Sequence, residues 1–271
     1  MPNIIWYLIL LGFSLILFVL GCRKGRKDFV ILWLFSAGIC YLFELIVFVF
    51  FNCYLYKPEI VADPFYDSTI GSIFSQGLTV PIMASFITIY RLGIRSILVG
   101  SLFLTGVELF YLHIDIYEHI WWKAYYTTLL VPLAFLITKI WYLFIKRGGK
   151  WIEFVTMFFV NLTIITTITF LIVVLCPFYH FDIKWFDLES RNLTAINDVF
   201  FIVSCFFYTG ISVLKNFFVK SGLFLVLLIG TGILLVSGFV VSQTVEFILM
   251  QLTFTILAML VNKLLFREVR N

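Results

Sequence analysis

Two apolar runs near the start of the chain, IIWYLILLGFSLILFVLGC (4–22) and FVILWLFSAGICYLFELIVFVFF (29–51), decide the fold. Each is about as long as the 20 apolar residues that an α-helix needs to cross the hydrocarbon core of a bilayer. The basic cluster RKGRK (23–27) separates them. Because Lys and Arg collect on the cytoplasmic side of a membrane, this cluster predicts that the chain crosses inward, turns and crosses outward again.

The same composition continues through all 271 residues, of which 62% are hydrophobic and only 13% are charged. Soluble domains are about a quarter charged, so a soluble enzyme, a nucleic-acid-binding protein and a disordered chain are excluded. The fold class is therefore an all-α, polytopic transmembrane bundle of nine helices, with the lipid bilayer as its solvent. Eight spans is the alternative, because 199–215 is short and 222–242 is divided from 245–265 by three residues only. The nine predicted spans are 4–22, 29–51, 70–90, 96–113, 124–145, 151–176, 199–215, 222–242 and 245–265.

The basic residues also predict the orientation of the chain. With the N-terminus outside, fourteen of the 19 Lys and Arg residues fall in inside segments and four in outside segments. This alternation holds through all nine spans, and it favours an N-out, C-in arrangement with an odd number of spans.

A Gly-Gly break divides the chain into a five-span N-terminal half (1–148) and a four-span C-terminal half (149–271). Every predicted loop is too short for a soluble domain. There is no GxxxxGK[ST] or GxGxxG motif, and no cysteine spacing typical of a metal site, so we expect no cofactor and no metal. Cys53 and Cys176 both fall near the outer face, where they would pair if the fold made them adjacent.

Two acidic residues, Glu44 and Glu108, lie within predicted spans, where an ionisable group usually faces the bundle interior or a wet cavity. At 1.5 Å per residue, Glu44, Gln76 and Glu108 lie at similar depths in the outer half. Spans two, three and four are therefore predicted to meet around a polar pocket that opens outward, with His113 and His119 near its mouth. Small or polar residues at helical spacing share these faces: Ser36 and Cys40 with Glu44, Ser72, Thr79 and Met83 with Gln76, and Ser101 and Thr105 with Glu108.

This pocket has two interpretations. In the first, Glu44 and Glu108 form a carboxylate pair that exchanges protons, holds a cation or performs acid–base chemistry. In the second, each carboxyl is protonated or hydrogen-bonded to Ser, Thr or Gln across helices, which is a structural role. The structural role is favoured for Glu44, and the functional role for Glu108 because polar residues cluster beside it.

The outside loop 177–198 is rich in aromatic rings. Phe178, Phe181, Trp185 and Leu188 recur at helical spacing, which indicates either a short helix at the headgroup level or an irregular loop anchored by rings. Phe181, Trp185 and Phe186 are the candidate residues of an outer recognition surface.

Residues 30–150 carry a set of loosely spaced features. Lys57-Pro58-Glu59 follows an aromatic-rich span, Pro81 lies within the next span, and Glu108 sits late in the one after it. His119 and Trp122 then precede a span that ends on Lys139-Ile140-Trp141-Tyr142. In these features the stretch resembles an uncharacterised family of small multi-pass membrane proteins from spore-forming Gram-positive bacteria. The resemblance implies a bacterial cytoplasmic membrane protein and brings no activity or ligand, and the four spans of 151–271 depart from the compact form of that family.

Three functions follow as hypotheses. The first is a non-catalytic membrane component, such as a receptor or the partner subunit of another membrane protein. The second is a carrier for a small solute or ion that uses the outer-half carboxylates. The third is an intramembrane enzyme acting on a lipid or isoprenoid, for which no HExxH or GxSxG motif is present.

Overall fold

The computed structural model describes residues 2–175, 179–242 and 244–266. It is all-α, as predicted, and eight helical stretches among the described residues are long and apolar enough to cross a membrane. The chain divides into two compact units, Met1–Gly148 and Gly149–Asn271.

The N-terminal unit contains five α-helices, two π-helical segments and two short strands among its described residues. In chain order they are α1 (Ile4–Glu44), the π-helical segment Leu45–Phe50, β1 (Tyr54–Tyr56), α2 (Pro64–Ser72), the π-helical segment Ile73–Thr79, α3 (Val80–Ile89), α4 (Ile94–His113), β2 (Tyr117–His119) and α5 (Ala124–Arg147).

Helix α1 folds back on itself at Gly25, whose φ and ψ of −177° and 77° are not helical. The ring of Phe18 lies 5.4 Å from that of Phe29 and 5.1 Å from that of Trp33. In a straight helix the fifteen residues between Phe18 and Trp33 would span about 22 Å. The stretch is therefore a helical hairpin, and its two limbs correspond to the predicted segments 4–22 and 29–51.

The helices of this unit are joined by hydroxyl pairs as well as by apolar contacts. Helix α3 packs against α1 and α5, and α4 packs against α5. Hydroxyl hydrogen bonds across helices stabilise membrane bundles modestly, by about 0.6–2 kcal/mol each. The bonded pairs are Ser14–Thr79 at 3.0 Å, Ser36–Thr138 at 2.8 Å and Thr105–Thr128 at 3.1 Å.

The third helical stretch begins earlier than predicted, at Pro64 rather than at residue 70. The carboxylate of Asp63 accepts hydrogen bonds from the backbone N–H groups of Phe65 and Tyr66, and proline occupies the first helical position. Both features favour a helix start. The preceding loop is ordered by Asp67, whose carboxylate accepts three backbone N–H groups from residues 59–61.

The C-terminal unit contains four α-helices and two short strands among its described residues. Helix α7 packs against α6, α8 and α9, and the two strands pair antiparallel. In chain order the elements are α6 (Lys150–Leu175), β3 (Tyr179–Phe181), α7 (Glu189–Val213), α8 (Phe217–Val236), β4 (Val240–Ser242) and α9 (Thr244–Phe266).

Buried amides and hydroxyls join the helices of this second unit. Asn161 donates to Thr209 at 3.0 Å, and the Tyr208 hydroxyl donates to Gln251. The amide of Asn262 donates to the carbonyl of Ser212 at 2.7 Å. Because these polar groups are satisfied across helices, they act as packing contacts between α6, α7 and α9.

The prediction of a short helix over 178–188 is wrong for the residues described. Tyr179–Phe181 is a strand paired with β4, residues 182–188 are not helical, and α7 begins at Glu189. Strand pairing fixes an alternating side-chain pattern, which overrides the helical spacing of the rings. Phe178 and Cys176 lie outside the described residues, so the proposed pairing of Cys176 with Cys53 stays a prediction.

Candidate functional site

A cavity of about 210 Å³ lies inside the N-terminal unit. Its wall is mostly carbon, from rings and aliphatic side chains, and Glu108 is the one acidic or basic residue among the described residues that line it. The ring-bearing residues of the wall are Tyr7, Phe43, Tyr54, Tyr56, Tyr111, Tyr117 and Trp122, and the residues with uncharged polar side chains besides these tyrosines are Ser75, Gln76, Thr79 and Thr127.

One side of the cavity is covered by the two short strands, which belong to different interhelical loops. Tyr54 pairs with His119, and Tyr56 pairs with Tyr117, so these four side chains share one face of the sheet. The rings of Tyr56 and Tyr117 are 4.7 Å apart. Burial holds the pKa of the Tyr56 and Tyr117 hydroxyls well above the usual value, so both remain neutral phenols.

A surface ion pair joins the same two loops outside this aromatic face. The Lys57 ammonium lies 2.9 Å from Glu118 and 3.1 Å from Asp115. The hydrogen bond with Glu118, followed by that with Asp115, holds the pKa of Lys57 above its usual value. Because about a third of the Lys57 side chain is exposed, these pairs stabilise the cover by only about 0–1 kcal/mol.

Glu108 is buried on α4, with 7% of its surface exposed. Its Oε1 lies 2.6 Å from Nε2 of His119, and an ionised carboxylate here accepts the proton that the imidazole donates. Its Oε2 is buried and has no hydrogen-bond partner among the described residues. An acceptor buried without a partner costs about 1–3 kcal/mol or more when charged, so this oxygen marks a place where a ligand can supply a donor.

Glu44 differs from Glu108 because both of its carboxylate oxygens have partners. The Tyr54 hydroxyl donates to Oε1, and the Ser72 hydroxyl donates to Oε2 at 2.6 Å. Glu44 precedes the first π-helical segment and Ser72 precedes the second, so this hydrogen bond joins the two irregular stretches. Glu44 holds the wall in place and is not itself among the residues that line the cavity.

The predicted pocket residues are thus brought together only in part. Gln76, in the second π-helical segment, lines the cavity with Glu108, and His119 reaches it through its bond to Glu108. Glu44 and Glu108 have separate partners and do not share a hydrogen bond between them. His113 is exposed at the end of α4 and does not line the cavity.

The three predicted recognition residues lie in different environments in the C-terminal unit. Phe181 is 7% exposed, and its ring packs 5.5 Å from that of Phe200, so it does not offer a surface to a partner. Trp185 is 46% exposed. Phe186 is half-buried beneath the guanidinium of Arg191, which lies 4.1 Å from the ring centre.

The tyrosines of the cavity wall were missed by the sequence reasoning. A signal for part of the set was present: Tyr54-Leu55-Tyr56 and Tyr117-Glu118-His119 both alternate with a period of two, which is typical of strands. The remaining two, Tyr7 and Tyr111, lie on helices and carry no such signal.

Among the described residues, no group of three or more His, Cys, Asp or Glu side chains is arranged to hold a metal ion. No protein-family model matches the chain, and neither the curated proteins nor the solved structures contain a significantly similar chain.

Proposed function

We propose that the chain is a multi-pass protein of a bacterial cytoplasmic membrane, with nine spans, the N-terminus outside and the C-terminus in the cytoplasm. The fold-back of α1 at Gly25 supports this count, because it divides the first of the eight long apolar stretches into two limbs. The alternation of Lys and Arg supports the orientation. The bacterial location rests on the resemblance of residues 30–150.

Topology reporters test this arrangement. We expect a green fluorescent protein fused after Asn271 or after Gly148 to fluoresce, and alkaline phosphatase at the same positions to be inactive, because both positions are cytoplasmic. A fusion after Lys184 is expected to give the reverse result. Phosphatase activity at Asn271 would contradict the odd number of spans.

Within this arrangement, the N-terminal unit is proposed to be a non-catalytic binding component, a receptor or partner subunit that holds a small, largely apolar ligand. One observation carries the proposal: an apolar cavity of about 210 Å³ contains a single carboxylate whose Oε2 has no partner among the described residues. Binding sites for small molecules are typically apolar hollows with a few placed polar groups. An engineered apolar cavity of about 150 Å³ already takes up benzene, so the volume is sufficient for a ligand.

Carbodiimide labelling tests whether the cavity admits a small apolar molecule. Dicyclohexylcarbodiimide attacks protonated carboxyls in apolar surroundings, so we expect it to modify Glu108 and to leave Glu44 unmodified across a pH series. The reason is that Glu108 lines the cavity with a free oxygen, whereas Glu44 is enclosed by Tyr54 and Ser72. The measurement is peptide mass spectrometry of the full chain in detergent.

Ala134→Phe provides the matched control for this labelling, because Ala134 lines the cavity and carries no charge. Filling the cavity is expected to suppress modification of Glu108 while every carboxylate stays in place. Equal labelling of Glu44 and Glu108, or labelling of Glu108 that Ala134→Phe leaves unchanged, would overturn the binding proposal.

A carrier is the second candidate function, and the cover of the cavity favours it. The two loops above the cavity are joined by short strands and by a surface ion pair worth about 0–1 kcal/mol, so opening this side is cheap. Accumulation of a bound compound inside proteoliposomes would favour the carrier, and binding without accumulation would favour the receptor. The enzyme hypothesis rests on the acid–base pair of Glu108 and His119, and an unchanged lipid profile after deletion would count against it.

A further inference from the structure

The rings around Glu108 present π surface to the cavity because their polar atoms are already engaged. Three tyrosine hydroxyls and one indole N–H have protein partners. Tyr7 donates to the carbonyl of Ile116 at 2.7 Å, Tyr111 to that of Trp6 at 2.9 Å, Tyr54 to Glu44, and Trp122 to Thr127 at 3.0 Å. What these side chains offer a ligand is therefore aromatic carbon with a negative ring face.

We infer that the cavity binds an organic ammonium ion, with the cationic nitrogen beside Oε2 of Glu108 and the apolar part of the ligand among the rings and aliphatic side chains. This inference rests on the proposed binding function and names its ligand class. It follows from two features found together: a buried carboxylate oxygen with no partner among the described residues, and an aromatic wall around it.

The aromatic wall decides between a cation and a neutral donor. A neutral N–H or O–H would satisfy Glu108 Oε2 equally well, but it gains little from the ring quadrupoles. A cation within about 6 Å of aromatic faces is attracted by them, most strongly where water is excluded, and aromatic cages are used to recognise quaternary ammonium groups. The carboxylate and the rings thus favour the same charge.

A hard inorganic cation fits the wall less well than an ammonium ion. Calcium takes roughly six to eight oxygen ligands, and magnesium demands an octahedral set. Two of the threonine hydroxyls in the wall are already bonded, Thr79 to Phe74 and Thr127 to Trp122. Most of the remaining surface is carbon, which suits the methyl and methylene groups of an organic cation.

Benzyltrimethylammonium and neopentylbenzene are a matched pair of probes for this inference. They have the same shape, and differ in a charged nitrogen where the other has a carbon. Their dissociation constants would be measured by equilibrium dialysis against the full chain in nanodiscs, with empty nanodiscs correcting for partition into lipid. We expect the cation to bind at least about tenfold more tightly than the neutral compound.

Glu108→Gln is expected to reduce this ratio to about one while neopentylbenzene still binds, and Glu118→Gln, a surface control, is expected to leave the ratio unchanged. Equal binding of the two probes to the wild-type protein would overturn the ammonium inference and leave the binding function standing. A preference for the cation that survives in Glu108→Gln would remove Glu108 from the site. Binding of neither probe to the wild-type protein would overturn both proposals, and this comparison does not depend on the folding of any variant.

Discussion

Gly21→Ala is expected to lower the free energy of unfolding of the N-terminal unit by about 2–3 kcal/mol, the upper part of the range for overpacked sites. A Cβ at Gly21 would lie 2.2 Å from the ring of Phe29, on the other limb of the α1 hairpin. Phe29 is fully buried and packs against Phe18, so its ring has no space into which to move. The limbs would have to separate, and the contacts between them would weaken.

Gly12→Ala is the matched control, since Gly12 lies on the same helix and a Cβ there has no atom within 4 Å. Removing a helical glycine at an open position is expected to leave stability unchanged or to raise it by up to about 1 kcal/mol. Both variants would be compared with the wild-type protein by thermal unfolding in detergent. If the two alanines had equal effects, the close approach of the two limbs at Gly21 would be wrong.

The sequence was sufficient to predict this hairpin because its signal is long and redundant. Two apolar runs of about twenty residues separated by RKGRK leave few alternatives, and the limbs occur where the runs predicted them. Depth along the helices also brought Gln76 and Glu108 to one cavity, because the rise per residue of a helix is constant.

Rotation about the helix axis was less predictable than depth. Gln76 lies in a π-helical segment, and Glu44 immediately precedes another. A π-helical turn shifts the side chains that follow it relative to the period of 3.6 residues. The predicted faces therefore placed Glu44 and Glu108 opposite each other, whereas Glu44 bonds to Tyr54 and Ser72 instead.

The cover of the cavity was beyond sequence reasoning for a different reason. β1 and β2 are three residues long and more than sixty residues apart in the chain. Strands this short give almost no periodic signal, and their pairing depends on which helices bring the loops together. The aromatic wall followed from that pairing, so it was missed with it.

The two buried glutamates offer the second large effect, because the structure gives them different roles. Glu44→Ala is expected to lower the free energy of unfolding by about 2–5 kcal/mol, since the hydroxyls of Tyr54 and Ser72 would each lose their acceptor in a buried site. Glu108→Ala is expected to cost less than about 1 kcal/mol, because it removes the buried oxygen that has no partner together with one bond to the partly exposed His119. Glu118→Ala, on the surface, is expected to cost about 0–1 kcal/mol.

Binding should follow the opposite order from stability, and this opposition separates the wall from the site. Benzyltrimethylammonium binding is expected to be lost in Glu108→Ala, a variant as stable as the wild-type protein within about 1 kcal/mol. Glu44→Gln keeps one acceptor oxygen for Tyr54 or Ser72, so it is expected to fall between the wild-type protein and Glu44→Ala in stability and to retain binding while folded. Thermal unfolding and equilibrium dialysis on the same preparations measure both orders. A Glu108→Ala protein that unfolds as readily as Glu44→Ala would give Glu108 a structural role, and its missing hydrogen bond would no longer point to a ligand.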